Sequence, residues 1–230
     1  MIITLNIILF TFLLTFINLL TGFKRKSIFG CGLIGFSGQG KFSLPIIKVL
    51  LWHNSQTRGK DATGIFTPKS GIIKDVVEAK EFFKNEELNK IVEFESPVLA
   101  HVRKATVGNA KDPDSAHPWD FGNIVMMHNG TLDNYKELAS QYNIEKYTVD
   151  SQVLGQAISK NFTDGKPFAV LNEYSGAAAV IVYHKERDSI FVYRDEDRTL
   201  FYGYVNDTEM YISSLEDILL GIGCKTQQTE

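Results

Sequence analysis

Residues 31–230 read as an antiparallel α+β domain, with helices layered on sheets. Three observations predict this class. Apolar or alternating runs of strand length recur along the chain, and several follow one another near the C-terminus, which favours antiparallel layers over a doubly wound parallel sheet. Runs with helical spacing fall between the other strands. A hydrophobic content of 44% in 230 residues is enough to bury a sizeable core.

From the N-terminus, residues 1–22 carry no charge and end at the basic run Lys24, Arg25 and Lys26. That length meets the roughly 20 apolar residues needed to cross a bilayer core. The charge lies after the apolar run and no small-residue cleavage site follows, so a secretory signal peptide does not fit. The positive-inside rule would keep the following chain in the cytoplasm. Residues 1–30 are therefore expected to be a membrane anchor, a leader that is removed, or translation from a start upstream of the true one. The single boundary expected in the chain falls near residue 30, with one domain spanning 31–230.

Beyond it, strands are predicted at Cys31 to Phe36, Ile72 to Ala79, Val98 to Lys104, Ile124 to His128, Ala177 to Tyr183, Ser189 to Arg194, Phe201 to Val205 and Glu209 to Ser213. Helices are predicted at Leu44 to His53, where Ile47, Leu50 and Leu51 keep helical spacing behind Pro45, and at Asp133 to Tyr142, Ser151 to Lys160 and Leu215 to Leu220.

Composition excludes several function classes. With 24 Lys+Arg against 27 Asp+Glu, the net charge of -3 offers no basic surplus to neutralise phosphates, so a nucleic-acid partner is not expected. Cys31 and Cys224 stand far apart without a CxxC or Cys/His cluster, which argues against a disulfide framework and a zinc site.

Five short blocks carry candidate chemistry. Cys31 opens a strand with Gly32 and Gly35 behind it, and reads either as a small buried hydrophobe or as a nucleophile. In Arg58 to Gly64 a glycine-bracketed turn carries Arg58 and Asp61, which on their own make a solvated loop with a surface ion pair. Arg103 ends an apolar run with Thr106 just beyond, where a planar guanidinium can grip a carboxylate through two parallel hydrogen bonds. His128-Asn129-Gly130 is first a turn signal, and alternatively an oxyanion hole built from an Asn amide and a Gly N–H. Asp150-Ser151 is a helix start, or a carboxylate for a substrate ammonium.

Taken in order, these blocks resemble the class II glutamine amidotransferases, whose glutaminase domain is an N-terminal nucleophile hydrolase. The resemblance covers Cys-Gly-x-x-Gly at Cys31, Arg-Gly-x-Asp-x-x-Gly at Arg58 to Gly64, His-x-Arg-x-Ala-Thr-x-Gly at His101 to Gly108, Ala116-His117-Pro118, His128-Asn129-Gly130, Asp150, Arg194-Asp195, and Ser213 to Glu216. It implies a four-layer αββα sandwich of two antiparallel sheets. It also implies that Cys31 attacks the glutamine side-chain amide to form a thioester, with its own α-amine as base. Asn129 and Gly130 would stabilise the oxyanion, Arg103 with Thr106 would bind the α-carboxylate, and Asp150 the α-ammonium. Arg58 would stand near Cys31, His101, His117 and His128 would be scaffold, and no metal or cofactor would be needed.

The chain would be a glutaminase half that passes ammonia to a separate synthase subunit, with membrane contact only if residues 1–30 are retained. Two departures stand out. Lys104 and Val107 occupy positions where the family commonly carries Trp and His, and Gly30 rather than an initiator Met precedes Cys31, so scission between them is expected. An amidase for another amide, and a membrane-tethered glutamine-binding module without catalysis, are the alternatives. Cys224 reads as an inert core or tail residue.

Overall fold

The computed structural model of the chain describes residues 30–38, 44–91, 96–105 and 109–229. The expected leader, Gly30 apart, lies outside the described residues, as do Thr106 and Val107. The strands are β1 (Gly32–Gly38), β2 (Ala62–Thr67), β3 (Gly71–Asp75), β4 (Val98–Arg103), β5 (Trp119–Asp120), β6 (Ile124–Leu132), β7 (Gly176–His184), β8 (Ser189–Arg194), β9 (Phe201–Asn206), β10 (Glu209–Ser213) and β11 (Lys225–Gln228). The helices are α1 (Leu44–Thr57), α2 (Ala79–Phe82), α3 (Tyr135–Gln141), α4 (Asp150–Thr163) and α5 (Glu216–Gly221).

Two sheets form, and every pairing in them is antiparallel. One has seven strands in the order β11-β9-β10-β1-β4-β2-β3, and the other four in the order β5-β6-β7-β8. Side-chain alternation along each strand builds the layers. In β1, Leu33 faces the second sheet while Ile34 and Phe36 face α1 and its Ile47, Leu50 and Leu51. In β6, Val125 and Met127 face the first sheet while Ile124 and Met126 meet Val153, Leu154 and Ile158 of α4. β7 repeats the pattern, with Ile181 inward and Val180 and Val182 toward the helices. All of these residues are at most 1% exposed, and each full burial stabilises by roughly 1.5–3 kcal/mol. The result is the expected four-layer αββα sandwich. Among the described residues, no helix is long and apolar enough to cross a membrane.

Three differences from the sequence expectations have physical reasons. Asn129-Gly130 does not turn: β6 runs on to Leu132, pairing Asn129 with Ala179 and Gly130 with Ala178. A Cβ on Gly130 would stand 1.8 Å from the Ala177 carbonyl oxygen, so this glycine admits a neighbouring strand rather than a bend. Second, β2 begins inside the block read as a glycine-bracketed turn and runs past it to Thr67, with all six of its residues buried between β3 and β4. Third, the strand expected at Ile72 to Ala79 stops at Asp75, and Ala79 opens α2.

Candidate active site

Cys31 immediately precedes β1, which lies between β10 and β4 near the centre of the larger sheet. Its side chain is turned to the main chain just past the end of β4. The Lys104 N–H donates to Cys31 Sγ at 3.4 Å, and the Lys104 carbonyl lies 3.6 Å from the same sulfur, placed to accept the thiol hydrogen. One peptide residue thus offers a partner to both the thiol and the thiolate. Cys31 is 9% exposed, and burial pushes its thiol up to about 11. The Lys104 hydrogen bond and the charges of Arg103 and Arg58 pull the other way, while Asp150 adds to the rise.

Arg103 is the last residue of β4, and its Nη1 donates to the Asn109 carbonyl at 3.2 Å. From the other sheet, β6 brings Asn129 and Gly130. Asn129 is fully buried, yet neither atom of its side-chain amide has a hydrogen-bond partner among the described residues. Such an orphan is costly in a folded core and is expected where a ligand supplies the missing partner. Gly30 stands directly over this amide, since a Cβ there would lie 2.5 Å from Asn129 Oδ1. Its φ of 141° is also strained for any residue with a side chain. Asp150 opens α4, where the helix N-terminus favours its negative charge. Its Oδ2 accepts from the Leu132 N–H at 2.8 Å and ties the end of β6 to the start of α4.

Cys31, Arg103, Lys104, Gly130 and Asp150 share one cleft of about 20 Å³, closed by Ser115, His117, Trp119, His128, Val149 and Ser151. Arg58 is not among its walls. It lies behind Cys31, nearly fully buried, with Nη2 donating to Thr199 Oγ1 at 2.6 Å and to the Ser214 carbonyl at 2.8 Å. Burial pulls the Arg58 guanidinium down to about 10.

Two histidines, His117 and His128, wall the cleft, and His101 supports them. His101 stacks on His117 at 4.0 Å between ring centroids, and His117 packs on Trp119 at 3.9 Å. His101 Nε2 is 3.2 Å from the His128 carbonyl, and His128 Nδ1 is 2.7 Å from Ser151 Oγ. Burial drives all three rings toward the neutral form, His101 down to about 3 and His117 and His128 below the ordinary histidine value. Among the described residues, no group of three or more His, Cys, Asp or Glu could hold a metal ion.

Sequence reasoning did not assign Lys104 a role at the thiol, because the contact comes from its main chain and residue type carries no signal for it. Ser151 gave only a helix-start signal, although its hydroxyl fixes His128. Cys224 is buried between α5 and β11, where desolvation pushes its thiol up to about 11.

The chain matches the glutamine amidotransferase domain family over residues 101–221, just over half its length. Among curated relatives, the glutamine–fructose-6-phosphate aminotransferase (isomerizing) of Thermococcus kodakarensis is 29% identical over 197 residues, covering 80% of this chain and 32% of that protein. The corresponding protein of Aquifex aeolicus is 31% identical over 170 residues, covering 67% of this chain and 28% of its own length. The chain therefore spans about a third of the length of the curated relatives it matches. Among solved structures, the glutamine phosphoribosylpyrophosphate amidotransferase of B. subtilis, complexed with ADP and GMP, superposes with a TM-score of 0.67 at 21% identity. That match covers 87% of this chain and 45% of the other. The sandwich is common to both proteins, and with more than half of its residues fitting the family pattern, this chain belongs to the class II glutamine amidotransferase domain family.

Proposed function

We propose that the domain hydrolyses the side-chain amide of glutamine to glutamate and ammonia, with Cys31 as nucleophile. One observation carries the reading: the Cys31 thiol stands in a cleft walled by Arg103, Gly130 and Asp150, and Gly30, its neighbour in the chain, lies against the Asn129 side-chain amide of the opposite sheet, which is fully buried and without a hydrogen-bond partner among the described residues. The guanidinium and the carboxylate match the two charged ends of a free amino acid.

In the proposed reaction, Sγ attacks the amide carbon and the thiol proton passes to the α-amine of Cys31. An α-amine titrates at about 7.7–8, close to working pH, whereas buried neutral histidines are poor bases. The oxygen of the tetrahedral intermediate takes its hydrogen bonds from Asn129 and the Gly130 N–H, and one such donor is worth about 3–4 kcal/mol of barrier. The amine returns its proton to the leaving nitrogen, ammonia departs, and water hydrolyses the thioester.

The mechanism needs a free amine, so the bond between Gly30 and Cys31 must be cut. Uncut, Gly30 occupies the space over Asn129, and a cleft of about 20 Å³ has room for little more than a water or two. Release of residues 1–30 would clear that space and remove the apolar leader. The basic run at Lys24 to Lys26 supports a cytoplasmic domain even where the leader remains. Ammonia would pass to a synthase. The relatives' names pair glutamine with fructose 6-phosphate or phosphoribosylpyrophosphate, and a separate synthase subunit is the acceptor we propose here.

The test is glutamate release from glutamine by a chain that begins at Cys31, beside the uncut chain and Cys31→Ala. Activity is expected only in the first. Glutamate release by Cys31→Ala, or none by a folded chain starting at Cys31, would overturn the reading.

A further inference from the structure

We propose that Asp61 is a positioning residue for the Cys31 thiol, acting through the main chain of Lys104. The inference rests on the glutaminase reading for its significance and on hydrogen bonds for its content. The ladder between β2 and β4 ends at Ala62 opposite Arg103, one residue short of Lys104. Asp61 takes over at this point. Its own N–H donates to the Arg103 carbonyl at 3.0 Å, and its Oδ2 accepts from the Ala105 N–H at 2.7 Å. The residues on both sides of Lys104 are thereby clamped by one aspartate, and the residue between them aims its N–H at Cys31 Sγ.

Gly59 completes the seat. A Cβ at Gly59 would fall 2.3 Å from the Arg103 carbonyl oxygen and 2.5 Å from Lys104 N, so the turn lies flat against the peptide that donates to sulfur. The Arg-Gly-x-Asp block, which sequence alone reads as a solvated loop, is in space a bracket for a thiolate hydrogen bond.

Charged groups reach Cys31 from three other directions: Arg58 from beyond the end of α1, Arg103 from β4 and Asp150 from α4. Removing Asp61 leaves these in place, and the sign of the effect separates two roles. If Asp61 acted by its charge, losing a negative group would ease thiolate formation. If it acts by holding Lys104, its loss slackens a donor to the thiolate and makes that form harder to reach.

The experiment is alkylation of Cys31 by iodoacetamide in the full chain as a function of pH, with peptide mass spectrometry separating Cys31 from Cys224. Below the thiol's midpoint the rate tracks the thiolate fraction. Asp61→Ala is expected to slow alkylation about tenfold at fixed pH, an upward shift of about one unit in the midpoint. Asp61→Asn keeps an acceptor oxygen and is expected to stay close to the parent. Asp61 is exposed, so both variants should fold. Alkylation of Asp61→Ala at the parent rate or faster, or an equal loss in Asp61→Asn, would overturn the inference. The readout needs no turnover: this pattern in the full chain, with a folded chain beginning at Cys31 inactive on glutamine, would sink the glutaminase reading and leave the positioning role standing.

Discussion

Asp150 combines two jobs in one carboxylate. Its Oδ2 holds the Leu132 N–H, a structural bond, while its charge sits in the cleft with Arg103. The two are separable by mutation. Asp150→Asn keeps an acceptor for Leu132 and removes the charge, so melting should shift little while the KM for glutamine rises, by about tenfold or more for a lost charged contact. Asp150→Ala also orphans a buried N–H, and its urea midpoint should fall by the equivalent of about 1–3 kcal/mol. Equal KM values in the parent and Asp150→Asn would remove this residue from substrate binding. The sequence makes the charge visible, through an acid at a helix start, but not the bond, because Leu132 lies on a strand whose end was expected at His128. The same limit hides Lys104: residue types can be read from a sequence, whereas a main-chain donor shows only once two distant segments are laid side by side.

For whole elements, what could be read depended on burial. β1, β4, β7, β8, β9 and β10 announce themselves by alternation or by apolar runs bounded by turn residues. β2 is silent, since all of Ala62–Thr67 is buried and Gly64 interrupts it, for a reason found across the fold: a Cβ there would lie 2.1 Å from the His117 carbonyl oxygen. β6 misleads, because Asn-Gly prefers a turn in isolation and here takes the strand conformation that its pairing with β7 imposes. This pairing yields a prediction. Gly130→Ala puts a methyl group 1.8 Å from the Ala177 oxygen and 2.5 Å from His128 Nε2, so β6 and β7 must part locally. The variant should lose about 2 kcal/mol or more of stability and also its glutaminase activity, measured by urea unfolding and glutamate release. Parental values in both would mean that the strands approach less closely than described.

In the molecule as a whole, the buried rings of His101, His117 and His128 set an acid limit. An unfolded histidine takes up a proton near pH 6.5, while these rings stay neutral in the fold. Between that pH and the lowered folded values, the unfolded state binds more protons, so stability falls as pH drops. We expect the urea midpoint to decline steadily from about pH 6.5 to 4.5. Both His117 ring nitrogens lack partners among the described residues, so His117→Phe should be nearly neutral at pH 7.5 and should flatten the decline by about one proton. An unchanged slope would place the acid sensitivity elsewhere. The arrangement of the two sheets carries a last consequence. Sulfur and guanidinium ride on one plate, the orphan amide on the facing one, with a greasy filling that includes Leu33, Leu99, Val125, Met127, Ile181 and Ile212 between the plates. Catalytic alignment is then a thickness gauge: shaving or swelling that filling would detune turnover from a distance, with every atom of the reacting constellation still in its own sequence position.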